Sequence, residues 1–218
     1  MLRVVKPFST DDLIACYRRG VFPMGESRDD TGLFLVDPEY RCILPLDGFH
    51  VSRRVERTLR SDRFNFTTDR DFAAVIDGCA APAPDRIDTW INPDIRGLYL
   101  DLHRRGMAHS IEVRSGETLV GGLYGVALGG AFFGESMFSR ATDASKAALV
   151  HLVARLRFGG FRLLDAQFLT PHLEQFGAQQ LPRRIFHALL GAALEAKAAF
   201  ALLPVEASGA ELVKLVDA

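Results

Sequence analysis

HSIEVRSGETLVGGLYGVALGGAFFGESMF, residues 109–138, alternates apolar runs with glycine-rich breaks, and its reading decides the fold. His109 to Arg114 reads as a strand, Ser115-Gly116-Glu117 as a turn, and Thr118 to Leu128 as a second strand whose glycines invite a bend or bulge. Gly129-Gly130 turns the chain into a third strand, Ala131 to Phe138. Asp143 is then a candidate N-cap for a helix running to Phe158 and stopped by Gly159-Gly160, and Arg162 to Leu169 is a short apolar strand. An antiparallel meander, a crossover helix and a further strand predict an α+β (mixed α/β) sheet. A helix from about Pro93 to Arg105 precedes the meander; an alanine-rich helix, Pro182 to Ala201, and a final short element beyond Pro204 follow it.

Toward the N-terminus, Ser9-Thr10-Asp11-Asp12 is a capping cluster for the helical run Leu13 to Arg19, which Gly20 ends. Residues 25–48 are rich in Gly, Pro and Asp, with short apolar runs at Leu33 to Val36 and Cys42 to Leu44. From Ser52 to Arg63 the apolar Val51, Val55 and Leu59 recur at helical spacing beside five arginines, which predicts an amphipathic helix with a basic face. These boundaries give a small N-terminal domain over 1–62 and a larger domain over 63–218. Ala80 to Pro84, small and proline-containing, also reads as a loop or domain boundary, one that separates a smaller N-terminal part from a larger C-terminal one.

Composition narrows the classes. Of 218 residues 48% are hydrophobic and 24% charged, enough for one substantial core or two small ones. A net charge of −1 excludes a uniformly basic nucleic-acid binder, so any phosphate-backbone contact must be a local patch; Arg53, Arg54, Arg57 and Arg60 are the candidates, against the bland alternative of a solvated helix face. Cys16, Cys42 and Cys79 are odd in number and far apart, which suits a reducing compartment and offers no zinc spacing. No long apolar run or leader pattern is evident, so a cytoplasmic protein is expected.

Within the strand Arg162 to Leu169, Asp165 and Gln167 fall on one face, a carboxylate and an amide set into apolar sequence. Burying them without partners costs about 1–3 kcal/mol each, so they form either a satisfied core network or a functional cleft. Gly134-Glu135-Ser136-Met137-Phe138-Ser139-Arg140 gathers a carboxylate, two hydroxyls and a guanidinium at a strand end, where Glu135 pairing with Arg140 is the bland alternative. Gly121-Gly122-Leu123-Tyr124-Gly125 permits close approach of a ligand or backbone. The six histidines show no metal spacing, and no GxSxG elbow, Walker loop or GxGxxG fingerprint occurs.

The runs YRRGVFPMGE from Tyr17, HSIEV from His109, GGLYGV from Gly121, GESMFSR from Gly134, DASKAAL from Asp143 and LLDAQFLTPHLEQFGAQQLPRR from Leu163, with FHVSR from Phe49 as a weaker match, together resemble the bacterial leucyl/phenylalanyl-tRNA-protein transferases. The resemblance implies a small N-terminal domain joined to a C-terminal GNAT-like acyltransferase domain. It implies transfer of Leu or Phe, with Met as a further donor, from aminoacyl-tRNA to the N-terminal α-amine of proteins beginning with Arg or Lys, which creates an N-degron for protein degradation. Partners would be Leu-tRNA, Phe-tRNA and such acceptor proteins, with no membrane, no cofactor, no metal and a monomeric chain.

By the same resemblance Asp165, Gln167 and Glu135 carry the chemistry: Asp165 orients and accepts protons, Gln167 positions the amine or the aspartate, and Glu135 holds the acceptor's cation. An ordinary aspartate, with a pKa of about 3.9, is a feeble base, so that role requires burial or a relay through Gln167 and the tRNA's terminal hydroxyl. Family-matched pocket positions are Leu123, Phe132, Leu149, Leu152, Leu156 and Leu164, with Trp90 as an aromatic wall. Leu35-Val36, ahead of Asp37-Pro38, stands where the family commonly carries tryptophan, which implies an altered donor affinity or preference. Two alternatives stay open: a GNAT-like acyl-CoA N-acyltransferase, disfavoured by the missing pyrophosphate-binding turn, and a non-catalytic tRNA- or degron-binding module.

Overall fold

The Ser9 hydroxyl accepts the Asp12 amide at 3.2 Å while the Asp12 carboxylate takes the Ser9 amide at 2.9 Å, and this capping box starts helix α1, Thr10–Arg18. Gly20, at φ +76°, lets the chain turn out of it. The computed structural model describes residues 2–4, 8–30, 32–83, 87–204 and 207–217. Around α1 lie β1 (Leu2–Val4), β2 (Phe22–Met24), β3 (Leu33–Val36) and β4 (Tyr40–Leu44). Next come α2 (Arg53–Arg60), β5 (Asn65–Thr68), α3 (Phe72–Ala80) and α4 (Pro93–Arg104). The second half runs β6 (Ala108–Ser115), β7 (Thr118–Leu128), β8 (Ala131–Ser139), α5 (Ala144–Phe158), β9 (Leu163–Gln167), α6 (Pro171–Glu174), β10 (Gln179–Pro182), α7 (Arg183–Leu194), a 3-10 turn at Phe200–Leu202, and α8 (Gly209–Asp217).

Two sheets result. The small one has the order β1-β3-β2, and the large one β10-β4-β9-β8-β7-β6-β5. Neighbours pair antiparallel except β8 and β9, which run parallel and therefore need the crossover that α5 provides. The α/β character and the meander read from residues 109–138 are those observed. Strand β4 lies before residue 62 yet belongs to the large sheet, so that sheet draws on both sides of the expected 1–62/63–218 division. The expected loop at 80–84 reaches residue 84, outside the described residues.

Side-chain alternation covers both sheet faces. Leu123, Phe132 and Leu164 join the cluster under α5, α2 and α8, while Tyr124, Phe133 and Leu163 join the cluster under α1, α3, α4 and α7. Three boundaries differ from the sequence reading. Asp143 sits at φ +67° without capping the helix; its carboxylate instead meets Arg54 at 3.0 Å and Lys146 at 3.8 Å. Strand β9 stops at Gln167 rather than Leu169, because Gln167 adopts a left-handed φ of +55°. Helix α7 ends at Leu194 rather than Ala201: the Ala199 amide bonds the Gly159 carbonyl at 3.0 Å, and the Phe200 and Leu203 carbonyls turn to the buried Arg155 guanidinium at 3.0 and 2.7 Å.

Candidate active site

The parallel pair is short. It joins Ala131, Phe132 and Phe133 to Leu163, Leu164 and Asp165, after which β8 follows β7 and β9 follows β4. Where the strands part, a cavity of about 500 Å³ opens at their carboxyl ends, the usual place for a ligand in a sheet with parallel strands. Leu44, Leu123, Leu149, Leu152, Leu164 and Leu173 supply its apolar wall, and Glu135, Asp165 and Gln167 its polar wall. Phe168, 45% exposed, also borders it and packs edge-on against Phe22.

Asp165 is fully buried, and four donors converge on it. Arg41 Nε reaches Oδ1 at 2.7 Å and Nη2 reaches Oδ2 at 2.6 Å, a two-pronged pair. The Gln167 backbone amide adds 3.0 Å to Oδ1, and its Nε2 adds 3.3 Å to Oδ2. Since a carboxylate offers about four lone-pair positions, all are engaged. Asp165 is thus anchored between Arg41 and Gln167, which fits the orienting part of the role expected from the sequence. Beside it, the Cys42 thiol is pushed up to about 11 by burial and by the Asp165 charge, so it stays protonated.

Glu135, on the neighbouring strand β8, lines the same cavity. Tyr17 donates to Oε1 and Tyr99 to Oε2, each at 2.7 Å, and the two phenol oxygens lie 2.5 Å apart. Three contacts share two phenolic protons, so a third proton on Glu135 would complete the ring. Burial is the main influence on this carboxyl and raises it; the Tyr17 and Tyr99 bonds pull the other way, and the result lies at about 7. Burial and the adjacent Glu135 charge push both phenols well above their usual range, which keeps them donors. The Glu135–Arg140 pairing considered as an alternative does not form; Arg140 instead lies over the Phe138 ring, 5.0 Å from its centre.

Of the expected pocket residues, Leu123, Leu149, Leu152 and Leu164 line the cavity. Phe132 and Leu156 are fully buried core and do not border it; Phe132 packs flat against Phe200, which draws it away from the opening. Trp90 packs edge-on behind Tyr99, at 6.4 Å between ring centres, and so backs the Glu135 ring instead of walling the cavity. Phe34 and the Leu35-Val36 pair belong to the small sheet, where Arg3 lies over the Phe34 ring.

Arg53, Arg54, Arg57 and Arg60 are all exposed on α2, above the buried Val55 and Leu59. Arg54 spans to Asp143 at the start of α5, two residues from Ser145 in the cavity wall. Among the described residues, no group of three His, Cys, Asp or Glu side chains is arranged to hold a metal. Sequence reasoning missed Arg41, Tyr17 and Tyr99 as site residues. Tyr17 lies in the matched YRRGVFPMGE run and was the one within reach; Arg41 is a lone cation beside a short apolar run, with no local mark of its partner.

Comparison with known proteins agrees with this architecture. Residues 43–191 match the family model described as leucyl/phenylalanyl-tRNA protein transferase, and residues 7–39 match the model of that family's N-terminal domain. The break between the two, residues 40–42, falls within β4, the first strand of the large sheet in chain order. The chain is 58% identical over 204 residues to the leucyl/phenylalanyl-tRNA–protein transferase of Phenylobacterium zucineum (94% of this chain, 92% of the relative). It is 53% identical over 212 residues to the Maricaulis maris protein of the same name (97% and 98%), and 60% identical over 194 residues to that of Rhodopseudomonas palustris strain BisB18 (89% and 84%). With both models matched in order and relatives aligned nearly end to end, the chain belongs to the leucyl/phenylalanyl-tRNA protein transferases, a family of aminoacyltransferases.

Proposed function

We propose that the protein moves leucine or phenylalanine, and also methionine, from aminoacyl-tRNA to the α-amine of proteins that begin with Arg or Lys, and that the new N-terminus marks them for degradation. The observation that carries this reading is the cavity itself, a leucine-lined chamber with a carboxyl and an amide at its polar wall. An apolar side chain that is unbranched at Cβ suits the leucines, and its ester carbonyl would then lie toward Gln167 and Glu135. An aminoacyl ester is already activated, so positioning and removal of a proton are the tasks left to the protein.

The incoming α-amine, with a pKa of about 7.7–8.0, arrives mostly as ammonium. A carboxyl near pH 7 is well matched to take that proton, so Glu135 is assigned both the acceptor's cation and its proton, while Gln167 orients the reacting groups and Asp165 holds Gln167. Arg53, Arg54, Arg57 and Arg60 are assigned to the tRNA backbone.

The test is direct. Labelled Leu-, Phe- and Met-tRNA are each incubated with the protein and with peptides beginning in Arg, Lys or Ala. Label is expected in the Arg and Lys peptides, sensitive to prior RNase treatment of the donor. Equal labelling of the Ala peptide would refute the acceptor assignment, and labelling only from acyl-CoA would refute the donor.

A further inference from the structure

The Arg41 guanidinium is 1% exposed and is held on every side. Its central carbon lies over the ring of Phe22 and over that of Phe186, 4.4 and 4.6 Å from their centres. Nε and Nη2 grip Asp165, and Nη1 donates to the Gly20 carbonyl at 3.0 Å. These contacts lead to Gln167 and to Glu135, both of which line the cavity. Through Asp165 they reach Gln167, whose backbone at φ +55° is a conformation that a non-glycine residue holds only when its surroundings impose it. Through Gly20 they reach the end of α1, where the Gly20 amide bonds the Tyr17 carbonyl at 2.9 Å, and Tyr17 in turn holds Glu135.

We propose that Arg41 is a positioning residue for aminoacyl transfer: it clamps Asp165 so that Gln167 is locked in its left-handed conformation with the amide set in the cavity wall, and it ties α1 to the same point. A buried ion pair gives no general gain in stability over apolar packing, so stability alone does not account for a polar cluster here. Lysine would not replace it, because one ammonium lacks the planar fork that serves both carboxylate oxygens and the Gly20 carbonyl together. Arg41 does not line the cavity; it acts on Asp165 and Gln167, which do.

The inference rests on the aminoacyl-transfer reading, so its test has one arm that needs activity and one that does not. Arg41→Lys and the paired Arg41→Met/Asp165→Leu are made, the second because apolar replacement of both partners leaves no orphaned charge to unfold the chain. Positioning predicts that kcat falls about 100-fold in both, with KM for aminoacyl-tRNA within about threefold and thermal midpoints close to wild type. A variant that keeps wild-type kcat, or a loss borne by KM alone, would overturn the proposal. Independently, hydrogen exchange at the Gln167 backbone amide is followed in Arg41→Lys. Exchange at least about tenfold faster than wild type is expected, since the clamp on its acceptor is loosened; unchanged exchange would also overturn it. Failure of the wild-type protein to transfer would contradict the function instead, and would leave the exchange result standing.

Discussion

At the scale of single residues, the site depends on two carboxylates placed in opposite circumstances. Asp165 has every lone pair engaged, whereas Glu135 sits in a phenol ring one proton short of complete. Because its folded value rises from 4.5 to about 7, Glu135 contributes stability that is fully present below pH 4.5 and is lost as pH climbs through 7. Glu135→Gln should flatten that dependence. Between pH 4.5 and 8 the wild type should lose roughly 1–3 kcal/mol more than the variant, measured by urea unfolding at each pH. Gln167→Asn offers a complementary check. Asparagine tolerates the left-handed backbone but is one methylene shorter, so the thermal midpoint should hold while kcat falls about 100-fold; an equal loss of both would point to backbone strain instead. Asp165 and Gln167 were legible as a polar pair in an apolar strand. Arg41 was not, since its partner lies 124 residues away and no local pattern reports it.

At the scale of elements, the site exists because β8 and β9 pair for three residues and then diverge. The meander was legible because glycine turns separate strongly apolar runs at residues 115–117 and 129–130. Strand β10, Gln179-Gln180-Leu181-Pro182, was not, since it is mostly polar and is held by pairing with β4 rather than by burial. Asp143 likewise looked like a helix cap but is an ion-pair partner, a choice made by Arg54 from another element. The β7–β8 register shifts between Tyr124 and Gly125, and a methyl group on Gly125 would run into the Phe133 carbonyl and the Phe132 ring. Gly125→Ala should therefore lower stability by about 1–3 kcal/mol or more by denaturant unfolding. Wild-type stability in that variant would mean that the β7–β8 contact has slack.

At the scale of the whole molecule, the large sheet brings Glu135, Asp165 and Gln167 to one cavity with Arg41 held against Asp165, while Arg54 of α2 pairs with Asp143 at the start of α5. Net charge near zero leaves long-range attraction of RNA to such local patches. Arg53→Ala combined with Arg57→Ala should lower the slope of log affinity for tRNA against log salt by about 1–2, in filter binding from 50 to 200 mM salt; an unchanged slope would move the tRNA path elsewhere.

In the proposed reaction the aminoacyl end of the donor enters the space between β8 and β9. Its most direct test is a crystal structure with a non-hydrolysable phenylalanyl-adenosine amide. The phenyl ring is expected among Leu123, Leu149, Leu152 and Leu164, with the carbonyl within about 3.5 Å of the Gln167 amide. A phenyl ring bound elsewhere, with this cavity filled only by solvent, would contradict it.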